Sequence, residues 1–171
     1  LDRSRFTLSV GYGLLGLAYL ALAWQQLRYG IEFDEGFNLT VVRNMASGLG
    51  YSTTGIVPWT WAVPFDPNAS TGPTLLLPAS LVWFLTGGSL EATRIVPFVF
   101  FLALVVALGL LFYRVAGRWA ALIAASSPLL LSVAKEDIST VSLVPGRFVG
   151  EITATACLVG MAVLLSSRRP L

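Results

Sequence analysis

Residues 6–27 read FTLSVGYGLLGLAYLALAWQQL, a run without a single charged side chain. A helix needs about 20 mostly apolar residues to cross the roughly 30 Å hydrocarbon core of a bilayer. The run therefore predicts a first membrane-spanning helix, Phe6–Leu27. It is too long for the apolar region of a secretory signal peptide, and no small-residue cleavage site follows it.

The composition extends this prediction to the whole chain. Hydrophobic residues make up 56% of the 171 positions, charged residues only 12%, and the mean hydropathy is +0.77. A soluble domain carries about a quarter charged residues, so much of this protein's surface must face lipid. Its eleven Lys and Arg side chains are spread over several loops and form no patch for nucleic acid. We predict an all-α integral membrane protein with one transmembrane domain, residues 1–171.

Five further segments complete the predicted architecture. Three more apolar runs predict spans at Ile95–Tyr113, Trp119–Ala134 and Phe148–Leu165. The apolar segment Pro73–Leu85 would be about 20 Å long as a helix, too short to span, and is predicted to be interfacial or re-entrant. A second interfacial helix is predicted at Phe37–Ser47, in which Phe37, Val41 and Met45 share one helical face and Arg43 and Asn44 lie off it.

The distribution of positive charge predicts the orientation of these spans. If Pro73–Leu85 stays outside, the short inner segments contain Arg3, Arg5, Arg114, Arg118, Arg168 and Arg169. A fifth span at Pro73–Leu85 would move the last four of these outside. The four-span alternative is therefore preferred, with both termini in the cytoplasm of a prokaryotic cell. It places the 28–94 loop and eight of the nine acidic residues on the outer face of the plasma membrane.

The most distinctive polar feature is an acidic pair, Asp34 and Glu35, directly after the first span. Both are candidate catalytic residues. The alternative is that Asp34 only caps the following helix, where acidic side chains are favoured by the helix dipole. A helix cap requires only one acidic side chain, so capping does not explain why two adjacent acids are present.

A second polar cluster precedes and enters the last span. Glu136 and Asp137 could supply a general base or a cation-binding carboxylate, and Lys135 and Arg147 could hold a phosphate. Glu151 is a candidate by the rule for charges inside membranes, or it pairs with Arg147 at i and i+4. The alternative for this cluster is a solvated loop.

Asp66 completes the set of candidate substrate-binding residues. It follows Trp59, Trp61 and Phe65, which suits a sugar-binding surface or, alternatively, an aromatic belt at the membrane interface. The chain has no histidine and one cysteine, Cys157, which excludes a Ser-His-Asp triad and an internal disulfide. A zinc site is not expected either, and no Gly-rich phosphate loop is present.

The order of these features resembles the C-type (GT-C) membrane glycosyltransferases, which include protein O-mannosyltransferases and aminoarabinose transferases. The matching stretches are Phe33-Asp34-Glu35-Gly36 after a first span, then Arg43 to Gly48, then Phe65-Asp66-Pro67 with Ser70 to Pro73, and finally the short Leu-rich helix and Gly87 to Arg94 before the next span. Further along, Ser127 to Leu131 leads to a charged outer loop, and Gly150-Glu151 opens the last span.

The resemblance implies transfer of a sugar from a polyprenyl-phosphate donor to an acceptor on the outer face, without a nucleotide cofactor. Asp34 then matches the acid that acts as catalytic base or binds the acceptor. Glu136 and Asp137 match a second acidic motif that binds a divalent metal ion in part of the superfamily. Because the stretch lacks an Asp-x-Asp, a metal requirement stays open.

Members of the superfamily are usually longer, so the chain is expected to correspond to the N-terminal portion of such an enzyme, incomplete or inactive by itself. The alternative is a non-catalytic subunit that packs against other membrane subunits. Small residues in 120–127 and 153–160 would allow such close packing. A transporter fits less well, because the sequence contains no inverted repeat.

Overall fold

A computed structural model describes residues 3–27, 30–31, 33–54, 61–66, 71–133 and 150–167. In chain order its elements are α1 (Arg3–Leu27), α2 (Phe33–Ala46), β1 (Ser52–Thr53), β2 (Val63–Pro64), α3 (Pro73–Leu85), α4 (Leu90–Thr93), α5 (Ile95–Val133) and α6 (Gly150–Ser167). The prediction of a mostly helical chain is confirmed. The all-α prediction omitted a small antiparallel pair, β1–β2, in which Ser52 lies opposite Pro64.

Among the described residues, two helical segments are long and apolar enough to cross a membrane, by length and composition. These are Phe6–Leu27 and Leu90–Leu129. Two shorter apolar helices are Pro73–Leu85 and Gly150–Ser166. The first predicted span is thus confirmed as a candidate by these criteria, whereas the four-span arrangement stays a prediction.

Helix α5 is broken at Gly117, whose backbone has φ 85° and ψ −168°. A Cβ placed on Gly109 would lie 3.8 Å from the Cβ of Ala125. In a straight helix the two residues would be about 24 Å apart, at roughly 1.5 Å per residue. The chain therefore reverses at Gly117, and α5 consists of two antiparallel arms, 95–116 and 118–133. The predicted span Ile95–Tyr113 lies on the first arm, and the described part of Trp119–Ala134, residues 119–133, lies on the second.

The hydrogen bonds between helices define the direction of each one. Tyr12 Oη donates to the carbonyl of Arg118 at 3.4 Å and Tyr19 Oη to that of Ala125 at 2.6 Å, so α1 runs parallel to the second arm of α5. Arg114 Nη1 donates to the Val163 carbonyl at 2.7 Å, which places the last turn of α6 beside the end of the first arm. Helix α1, the two arms and α6 therefore alternate in direction. We call the end of this bundle at Gly117 the hairpin end and the opposite one the loop end.

Two hydrophobic clusters hold this arrangement together. The first lies within the bundle, where the ring centroids of Tyr19 and Phe101 are 5.2 Å apart and Ile152 of α6 packs against them. The second lies at the loop end and joins α2 to α3 through the buried residues Leu39, Val41, Val42, Phe65, Leu75, Leu76 and Ala79. Val96 and Phe100 of α5 pack against this second cluster, so the described residues between 33 and 85 form a packed unit fixed to the bundle.

The conformation of Gly117 leads to a first prediction. Its φ and ψ lie in a region that is essentially restricted to glycine, and a residue forced into it costs on the order of 1–3 kcal/mol. We expect Gly117→Ala to lower the thermal stability of the detergent-solubilised protein by this amount. Gly13→Ala is the control, because a Cβ there would meet nothing within 4 Å and α1 is helical at that residue. Equal melting temperatures for the two variants would contradict the hairpin.

Candidate active site

The acidic pair lies in the first turn of α2, which begins at Phe33. The predicted helix began at Phe37, so that boundary was four residues late. The acids were interpreted as preceding the helix, whereas acidic side chains are also favoured within its first turn. The two side chains differ completely in exposure, since Asp34 is exposed and Glu35 is only 2% exposed.

Glu35 is held by a two-point ion pair with Arg94. Arg94 Nε donates to Glu35 Oε1 at 2.8 Å, and Nη2 donates to Oε2 at 2.7 Å. The side chains are 3% and 2% exposed, so water reaches neither charge. This planar, two-bond geometry is one that arginine forms with a carboxylate and that lysine cannot reproduce.

The remaining donors of Arg94 bind the C-terminal end of α1. Its Nη1 donates to the carbonyls of Gln26 at 3.0 Å and Leu27 at 3.4 Å, and Nη2 donates to that of Gly30 at 3.4 Å. The last carbonyls of a helix lack partners within the helix and attract positive charge. One guanidinium therefore joins the end of α1, the start of α2 and the start of α5. We call Glu35, Arg94 and these carbonyls the anchor.

Arg94 was given no role at the site from the sequence, where it was named only as the last residue of the stretch before the second span. One feature of the sequence could have indicated a role for Arg94. It is the last charged residue before a long apolar run, in a chain with few charges. Its partner could not be identified in this way, because Glu35 lies 59 residues earlier.

The segment after α2 folds back onto that helix. Helix α2 ends at Ala46 and the chain turns at Gly48, where φ is 80° and the following Leu49 amide donates to the Asn44 carbonyl at 2.8 Å. Glycine is the usual residue for this left-handed termination. Asn44, predicted to lie off the buried face, is 1% exposed, and its Nδ2 donates to the Ser52 carbonyl at 3.2 Å.

Two contacts of Tyr51 extend this unit towards α3. Its ring centroid lies 5.4 Å from that of Phe65, and its hydroxyl donates to the Thr71 carbonyl at 2.6 Å. Burial raises the pKa of Tyr51 above its usual value, so the hydroxyl keeps its proton for this bond at neutral pH. The bond fixes residue 71 immediately before α3 begins.

Asp66 and Glu151 are both exposed and both belong to the loop end. Asp66 follows Phe65, whose buried ring packs on Phe37 of α2 with 5.3 Å between centroids. Glu151 lies in the first turn of α6. A Cβ on the neighbouring Gly150 would come within 3.4 Å of Thr71, so α6 starts against the same unit. The loop end therefore carries Asp34, Asp66 and Glu151 as exposed acids.

The other predicted site residues, Lys135, Glu136, Asp137 and Arg147, lie outside the described residues. Within the described ranges, no group of three or more His, Cys, Asp or Glu side chains is placed to hold a metal ion. Whether Glu136 and Asp137 contribute to such a group stays a prediction.

Comparison with known proteins identified no relative of this chain. The chain matches no protein-family model, no curated protein and no solved structure. The residues at the loop end and their contacts are therefore what a functional inference can rest on.

Proposed function

We propose that the chain is the N-terminal portion of a GT-C-type membrane glycosyltransferase. It would transfer a sugar from a polyprenyl-phosphate donor to an acceptor at the outer face of the membrane. The observation that carries the proposal is the contrast within the acidic pair. Asp34 is exposed in the first turn of α2, while Glu35 beside it is buried in the anchor. An exposed carboxylate on a rigidly fixed helix turn suits a group that must meet a substrate in one orientation.

In the proposed reaction Asp34 acts as the general base. It takes the proton of the acceptor hydroxyl as that oxygen bonds to the anomeric carbon of the donor sugar. The bond from the anomeric carbon to the phosphate oxygen breaks, and the polyprenyl phosphate leaves with the electron pair. Lys135 and Arg147 are proposed to bind this phosphate, and Asp66, Glu136, Asp137 and Glu151 to bind substrate. Such acid–base assistance typically contributes a factor of about 10²–10⁴ in rate.

Turnover of a labelled donor tests this function. The protein, in nanodiscs, is incubated with a panel of polyprenyl-phosphate-linked radiolabelled sugars and with membrane extract as the source of acceptor. We expect label to move to an acceptor and free polyprenyl phosphate to appear in equal amounts. The assay is repeated with the full-length protein that contains this chain. If that protein consumes none of the donors, the proposal is overturned.

The function also requires a topology, which we propose to be four spans formed by α1, the two arms of α5, and α6. At about 1.5 Å per residue, the 18 residues of α6 extend roughly 27 Å, close to the thickness of the hydrocarbon core. In this topology the loop end faces outward and the hairpin end faces the cytoplasm. The positive charge of Arg114 and Arg118 at the hairpin end supports this orientation.

Cysteine labelling tests the topology as a second prediction. In a Cys157→Ala background, Ser47→Cys reports on the loop end and Ala116→Cys on the hairpin end, and both positions are exposed. A membrane-impermeant maleimide should label residue 47 only in right-side-out vesicles and residue 116 only in inside-out vesicles. Labelling of both residues from one side would contradict a bundle that crosses the membrane.

A non-catalytic membrane subunit is the second candidate, and one observation favours it. Helix α3 buries Leu75 and Leu76 but leaves Leu77, Leu81, Phe84 and Leu85 between 54% and 70% exposed. This outer apolar face could contact lipid, as an interfacial helix would, or another membrane subunit. The transfer assay separates the candidates, because a packing subunit would consume no donor.

A further inference from the structure

A groove runs along the outside of the bundle, between α1 and the first arm of α5. Its volume is about 510 Å³, and its walls are apolar side chains such as Leu15, Leu102 and Val106. Among the described residues that line it, the only polar side chains are those of Tyr12, Tyr19 and Tyr113, and the Tyr19 hydroxyl donates to the Ala125 carbonyl. The interior of the groove is therefore suited to hydrocarbon.

The dimensions of the groove indicate what can enter it. It extends from Phe98 to Tyr113, which is roughly 22 Å along a helix at about 1.5 Å per residue. A groove of this length, with a volume of about 510 Å³ and apolar walls, accommodates one extended hydrocarbon chain.

The groove continues into a polar pocket at the hairpin end. Tyr12 and Tyr113 line both cavities, and the second, of about 470 Å³, also contains Ser9 and Arg118. Arg118 is exposed there, and Tyr12 donates to its carbonyl rather than to its side chain. A positive side chain and hydroxyl groups thus stand at the mouth of an apolar channel, which is the complement of an anionic lipid.

We propose that this groove binds one anionic phospholipid, with its phosphate at Arg118 and one acyl chain between α1 and the first arm of α5. Basic pockets between membrane helices bind anionic headgroups at the cytoplasmic surface, where such lipids are abundant. The site lies at the end of the bundle opposite Asp34. It requires that the helices span a membrane but does not require glycosyl transfer.

Native mass spectrometry of the detergent-solubilised protein tests the headgroup contact, with palmitoyl-oleoyl phosphatidylglycerol and phosphatidylcholine as probes. We expect one molecule of phosphatidylglycerol to bind about fivefold more tightly than phosphatidylcholine, the usual effect of one basic side chain beside an anionic lipid surface. Arg118→Gln should remove the preference. Arg43→Gln, which removes an exposed arginine from the loop end, should keep it. Retention of the preference in Arg118→Gln would overturn the proposal.

A pair of glycines in α1 tests the acyl-chain contact. A Cβ on Gly13 or Gly16 would meet nothing within 4 Å, but only Gly16 lines the groove. Gly16→Leu should therefore weaken binding of both lipids at least several-fold, and Gly13→Leu should leave it unchanged. Equal binding by the two variants would place the chain elsewhere and overturn the proposal. A dimer without bound lipid would also overturn the proposal, because it would assign the groove to a second copy of the chain. Tight binding of undecaprenyl phosphate but of neither phospholipid would overturn it as well.

Discussion

Asp34→Asn should reduce sugar transfer by at least about 100-fold, because the amide cannot accept the proton of the acceptor hydroxyl. The substitution keeps the size of the side chain, and Asp34 is exposed. The anchor beside it does not involve Asp34, so α2 should keep its position. The loss should appear as a lower kcat at saturating donor, measured as the rate of label transfer in nanodiscs.

Two further measurements separate this effect from a structural one. Thermal stability should change by less than about 1 kcal/mol, the range for an acid near a helix N-terminus. Glu91→Gln is the matched control, because Glu91 is another exposed acid in the first turn of a helix in the same loop, and it should transfer at the normal rate. Transfer by Asp34→Asn within twofold of the unmodified protein would mean that Asp34 is not the base.

Arg94→Ala should have the largest effect on stability of any single change in the anchor. It leaves the Glu35 carboxylate buried without its counter-charge, and breaking a buried pair in this way costs about 3–5 kcal/mol. The α1 carbonyls of Gln26 and Leu27 lose a donor at the same time. We expect a clear fall in melting temperature and faster proteolysis after α1.

Three variants locate the origin of this loss. Arg43→Ala removes an exposed arginine whose Nη2 donates to Thr54, and surface contacts of this kind contribute about 0–1 kcal/mol. Arg94→Lys keeps the charge but not the two-bond geometry and should be intermediate. Replacing Glu35 and Arg94 together by methionine should recover part of the stability, because it removes both buried charges. If Arg94→Ala lowers the stability no more than Arg43→Ala does, the anchor does not hold α2 in place.

Much of the helical structure could be predicted from local sequence. The uncharged run from Phe6 and the apolar segment Pro73–Leu85 gave helices at those positions, and both are present. The face formed by Phe37, Val41 and Met45 is packed in the loop-end cluster, as its spacing indicated. Periodicity and hydropathy indicate which face of a segment is buried. They therefore predict a helix correctly where its buried face is determined by the spacing of its own apolar residues.

The parts that were missed depend on contacts between distant residues or on single residues. The segment between Tyr113 and Trp119 was treated as a loop because it is charged, yet the helix is interrupted only at Gly117. The strands β1 and β2 are two residues each, too short for any alternation to be visible. The burial of Glu35 was also missed, since adjacent residues look equivalent until Arg94 distinguishes them, and its assignment with Asp34 to one catalytic pair stays a prediction. Neighbours on a helix point about 100° apart, so one can be buried while the other faces water.

The anchor also constrains the order in which the protein can assemble during synthesis. Glu35 leaves the ribosome 59 residues before Arg94 does. Until then its carboxylate stays in water, because burying it without a counter-charge is costly, and α2 can dock only transiently against the end of α1. The arrival of Arg94, at the start of the next long apolar segment, completes the joint. The docking of α2 is thereby timed by the synthesis of the long apolar segment that begins after Arg94.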